Sequence, residues 1–168
     1  MTGGILEHDD GRPVVRFTRR LDHPVERVWR AVTSSDELAA WFLAPMDLTR
    51  AGHRFEAMAE PGEVLRCEPP RFVEWVWGGE TLSFQLAPDG DGTLLTFRHA
   101  FARGDHAADH ASGWHFHVDR LLAHLDGRVM PEDDPARLVA LDDDYAVRFG
   151  LDPEVGRRVI AQHHGSTG

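Results

Sequence analysis

Residues Gly113–Leu125 read GWHFHVDRLLAHL, and this stretch decides the fold. An α-helix turns about 100° per residue. With Trp114 set at zero, Val118, Leu121 and Leu125 fall within about 40° of it, a buried stripe. His117 and His124 share one flank. His115 and Leu122 share the other. Phe116 and Ala123 point away from the stripe, so Phe116 needs cover from elsewhere. The three histidines do not converge. His117 and His124 lie two turns apart, about 10 Å along the axis, too far to share one metal ion. They are expected to be mostly flank residues, with His117 the better placed to reach an interior cavity.

Working outward, the helix needs an apolar partner, and strands precede it. Candidates cover 47–49, 54–59, 62–68, 71–77, 80–87 and 93–101, separated by turn residues such as Gly78-Gly79 and Asp89-Gly90-Asp91-Gly92. Separators this short join antiparallel neighbours. Leu82, Phe84 and Leu86 alternate with polar residues, and Leu95, Phe97, His99 and Phe101 share one face. His99 would be the polar group in an apolar wall. A further strand is expected over Val14–Leu21. After it, Asp22 suits a helix cap and Pro24 a first turn. Val25, Val28, Trp29 and Val32 recur at helical spacing. A second short helix carries Leu38, Trp41 and Phe42 and ends before Pro45. Residues 1–13 read as a flexible tail, 14–128 as the domain, and 129–168 as an acidic extension with one or two short helices, around 136–149 and from Asp152-Pro153.

Composition narrows the function. The chain has 168 residues and is 42% hydrophobic, with nine Phe and five Trp, enough for one domain with a core. Its 28 acidic residues against 18 basic ones give a net charge of −10, which argues against nucleic acid or an anionic membrane as partner. All the basic residues are Arg; we read this as genomic codon bias. A single cysteine, Cys67, permits no disulfide framework and no thiolate cluster. With neither a signal peptide nor an apolar run of spanning length, a cytoplasmic protein is expected.

No phosphate-cradling glycine motif or nucleophile elbow is present. The most metal-like segment is GDHAADH, where His106 and His110 are four apart. No third ligand is indicated, so neither metal nor cofactor is expected.

The segments PVERVWRAVT with LAAWF, PPRFVEWVW, DGTLLTFRHAF and GWHFHVDRLLAHL together resemble the START-like, or SRPBCC, superfamily. Within it they look like the branch named for activators of the heat-shock-protein-90 ATPase. The likeness covers roughly residues 14–127. It implies an α+β helix-grip fold: a curved antiparallel sheet of six or seven strands around the long helix, with two short helices after the first strand. It also implies a cavity between sheet and helix for a small apolar or amphipathic ligand. The candidate lining is Trp41, Phe42, Trp75, Trp77, Phe84, Phe97, His99, Trp114, His117 and Leu121, with Trp41 and Phe42 as a lid. Two alternatives stay open. One is a polyketide-cyclase-type enzyme using His99 or His117. The other is a co-chaperone-like or other protein-interaction module. The ligand and the oligomeric state are not legible in the residues.

Overall fold

The computed structural model describes residues 3–165. Seven antiparallel strands form one sheet: β1 (Ile5–Asp9), β2 (Arg12–Leu21), β3 (Arg54–Ala57), β4 (Glu60–Glu68), β5 (Phe72–Trp77), β6 (Glu80–Asp89) and β7 (Gly92–Ala100). Their spatial order is β1-β2-β7-β6-β5-β4-β3. All joins within β3 to β7 are hairpins. The single crossover, from β2 to β3, carries helices α1 (Val25–Thr33) and α2 (Ser35–Trp41). After β7 come a 3-10 turn (Gly104–His106) and α3 (Ala107–Leu125), then α4 (Pro135–Phe149) and α5 (Pro153–Gly165). No described helix is long and apolar enough to cross a membrane.

The sheet buries one face on α3. Register sets this face: Phe17 lies opposite Phe97, and Phe97 opposite Phe84. On α3 the stripe Trp114, Val118, Leu121 and Leu125 is buried, as the 3.6-residue period requires. Phe116, opposite the stripe, is half-buried, with the Arg120 guanidinium 5.8 Å from its ring centre.

Three expectations are corrected. Residues 5–9, read as loose tail, form the edge strand β1, paired with β2 through a tight turn at Asp10-Gly11. Residues 47–49 are not a strand. Asp47 there accepts the Thr49 backbone N–H at 3.0 Å, a local turn, while Ala44, Met46 and Leu48 are buried. Asp22 does not cap α1. Pro24 occupies that position at φ −66°, and Asp22 instead pairs with Arg20.

Local chemistry explains the extension. The Asp134 side chain accepts the Ala136 N–H at 3.0 Å, Pro135 opens α4, and Gly150 ends it at φ 68°. Two polar contacts then fix α4. The buried Tyr145 hydroxyl accepts the Gly4 N–H at 2.7 Å and lies 2.7 Å from His115 Nδ1. Arg120 is buried on α3 and donates to three carbonyls. Two belong to the last turn of α2, Trp41 at 2.8 Å and Ala40 at 3.0 Å; the third is Pro131, where the extension begins. A cation at a helix C-terminus satisfies both orphan carbonyls and the dipole.

Candidate functional site

Between the sheet and α3 lies a continuous run of rings. Trp75 meets Phe84 at 5.3 Å, Phe84 meets Phe97 at 5.2 Å, and Phe97 meets Trp114 at 4.0 Å. Phe42 stacks on Trp114 at 5.3 Å and 10°, and touches His117 at 4.7 Å and Trp77 at 5.8 Å. Trp41 lies 6.4 Å from Phe84, and Leu121 is buried beneath. The ten sequence-predicted residues therefore occupy one layer. They fill it: Trp75 and Phe97 have no exposed surface, and Trp41, Phe42 and Phe84 almost none. Three cavities of about 650, 600 and 240 Å³ open elsewhere on the molecule, and none is lined by any of the ten.

Polar atoms inside this layer are the informative ones. Three of its indoles are satisfied: Trp41 donates to the Ala31 carbonyl at 2.8 Å, Trp77 to that of Ala57 at 3.0 Å, and Trp114 to His99 Nδ1 at 3.0 Å. The Trp75 Nε1–H and the His117 Nδ1 are buried with no hydrogen-bond partner among the described residues. Buried polar groups are almost always paired, so two orphans in one layer require a reason. Burial first, and Arg120 second, push His117 down to about 4. The ring is therefore neutral near pH 7.

His99 is committed. An indole N–H only donates, so the Trp114 bond makes Nδ1 an acceptor and places the proton on Nε2. That proton points at Glu80 Oε2, 2.5 Å away. Neither ring nitrogen keeps a free lone pair. Sequence reasoning missed Glu80, although the inward alternation Phe84, Leu82 continues to it.

His110 completes the cluster. Its ring lies 4.6 Å from that of His99 and 4.4 Å from Phe101, and its Nε2 is 3.8 Å from Glu80 Oε1. Burial first, then His99, pushes it down to about 4. Glu80 is half-buried. Burial, the largest single effect, would raise its carboxyl; the His99 hydrogen bond together with the charges of His99, His110 and Arg12 outweighs it, leaving the group below its ordinary value. His106 takes no part, because it lies in the 3-10 turn before α3 begins.

By distance Glu80, His99 and His110 could hold a metal ion, their ligand atoms lying within 4.8 Å of one another. The tautomer does not fit. A His that ligates through Nε2 donates its Nδ1–H outward, whereas here Nδ1 accepts from Trp114. The cluster is a hydrogen-bond network that fixes the start of α3 against β6 and β7.

His110 and His117 both sit below the ordinary value of 6.5, near 4. Their contribution to stability is complete above 6.5 and is lost as pH falls through about 4. Proton NMR of the imidazole C–H signals is expected to show both rings neutral at pH 5.5. A normal titration at either ring would refute that site's burial.

A curved sheet gripping one long helix defines the helix-grip class. Residues 22–126 match the family described as Activator of Hsp90 ATPase homolog 1-like protein, and the chain belongs to that family. The crystal structure of CalU16 from Micromonospora echinospora is similar, with 27% identity and a TM-score of 0.71 over 89% of this chain and 99% of that one. A Bordetella parapertussis protein solved by NMR matches at 27% identity and TM-score 0.68, over 89% and 92%. DynU16, from the dynemicin biosynthetic locus, matches at 26% and 0.61, over 75% of this chain and 51% of that one. No curated protein matches the sequence.

Proposed function

We propose that the protein binds a small amphipathic molecule between the sheet and α3, within the layer of aromatic rings. The carrying observation is the pair of orphaned polar atoms, Trp75 Nε1–H and His117 Nδ1, in an otherwise apolar layer. A ligand with an apolar body and a hydroxyl or carbonyl would pair one or both. Phe42 is the side chain to move. It follows the last residue of α2, and Leu43 beside it takes φ 69° and is 54% exposed. A non-glycine residue at positive φ is a strained link where a lid can pivot. The likeness to a protein encoded in a biosynthetic locus supports a biosynthetic small molecule as the natural ligand.

A second reading is proton transfer on such a ligand, as in polyketide cyclisation. His117 favours it: its buried Nδ1, without a hydrogen-bond partner among the described residues, is the one ring nitrogen in the layer placed to take a proton from a bound ligand. His99 is not available for this role while Trp114 and Glu80 hold both its nitrogens.

The test is isothermal titration with 2-naphthol, a bicyclic ring carrying one hydroxyl. Saturable one-to-one binding is expected. His117→Phe is expected to weaken it about tenfold, the loss of one hydrogen bond of about 1.4 kcal/mol. Absence of saturation, or equal affinity in His117→Phe and Trp75→Phe, would remove the reading. Turnover of a poly-β-ketone that His117→Phe abolishes while binding persists would select the enzyme.

A further inference from the structure

Asp142, on α4, is fully buried, and neither carboxylate oxygen has a hydrogen-bond partner among the described residues. Gly156 of α5 sits directly on it. A Cβ at that position would lie 1.8 Å from Asp142 Oδ2, so only glycine lets the two helices approach this closely. The charges around the site do not help a carboxylate. Asp109 from α3 and Asp143 from α4 repel it. Arg157 of α5 attracts it but is drawn away, held by both oxygens of Asp143 at 3.0 Å and by Glu154 at 2.8 Å. Asp105, in the 3-10 turn that α5 also touches, is taken by Arg103.

An ionised carboxylate without a partner is among the costliest groups to bury. We propose that Asp142 makes the seating of α5 on α4 an acid-favoured contact: the carboxyl is protonated while Gly156 covers it, and ionises when α5 lifts away. Burial, then Asp109 and Asp143, raise the group from 3.8 to about 6. The sign follows. A raised carboxyl favours the seated state fully below 3.8, and this advantage is lost as pH rises through about 6. Lifting α5 uncovers Ile160, which is buried in the seated state, and the part of α3 that α5 touches. The extension is thus a cover that closes in acid and loosens towards neutral pH.

The experiment is NMR on the full chain between pH 3.5 and 7.5. It follows the Asp142 side-chain carboxyl carbon and the exchange of α5 amides, corrected for intrinsic rates. The carboxyl is expected to titrate near 6. Protection of α5 is expected to fall about a hundredfold across the range, the two-unit displacement read as an equilibrium. In Asp142→Asn the protection should be independent of pH. In Gly156→Ala it should be lost at every pH. A carboxyl titrating at or below 3.8 would overturn the proposal. So would the same fall in Asp142→Asn as in the wild type, or full protection in Gly156→Ala. Should the variants fail to fold, the wild-type carboxyl titration alone decides.

Discussion

Trp114→Ala is expected to destabilise the protein by about 4 kcal/mol, from lost burial and the cavity left behind. The ring is packed on Phe97 and Phe42 and lies at the centre of the grip layer. Urea denaturation reads the loss as a drop in midpoint at unchanged slope. Trp114→Phe keeps most of the volume but deletes the indole N–H that donates to His99 Nδ1, with an expected cost of about 1–2 kcal/mol. It also tests the tautomer. Once Nδ1 is free to carry the proton, Nε2 becomes a ligand atom, and Glu80, His99 and His110 form a complete set. Trp114→Phe is therefore expected to bind Zn²⁺ more tightly than the wild type. Equal Zn²⁺ affinity in the two proteins would show that Trp114 does not set the tautomer.

Arg120→Met should be comparably damaging. It keeps the apolar stem of the side chain and removes a guanidinium that serves three carbonyls at once. Hydrogen bonds to charged groups contribute about 1.5–3 kcal/mol each and are not additive, so a total loss of about 3–4 kcal/mol is expected. A purely structural role would show only in the denaturation midpoint. Arg120 also presses on His117 electrostatically. In Arg120→Met the His117 ring is therefore expected to titrate at a higher pH than in the wild type. An unmoved His117 would leave Arg120 as a clamp without electrical influence on the grip interior.

The parts of this molecule legible in sequence are those set by local periodicity. The Trp114 stripe, the alternation of β6 and β7, and the Asp152-Pro153 start of α5 follow from residues a few positions apart. What was not legible depends on distant partners. The edge strand β1 is polar along Glu7-His8-Asp9 and reads as tail, because it is held by its ladder to β2 and, through the preceding Gly4, by a hydroxyl on α4. Spacing joined His110 to His106, while the fold joins it to Glu80 and His99 from two other strands. His115 lay on a flank by the wheel, yet it is buried, because α4 brings Tyr145 against that flank. The candidate cavity residues were identified by face. Whether rings or empty space lie between the faces is a matter of side-chain volume, which alternation does not encode.

The Tyr145 hydroxyl has one more consequence. It joins Gly4 to α4 across 141 residues of chain. Closing so long a loop is entropically demanding and is repaid only once the intervening sheet exists. The contact is therefore expected to form late in folding. It also couples the fraying of two distant segments. Peeling β1 away strips a donor from Tyr145, and lifting α4 leaves the Gly4 amide without its acceptor. The outer strand and α4 are fastened by one shared latch, so these two open together or stay shut together.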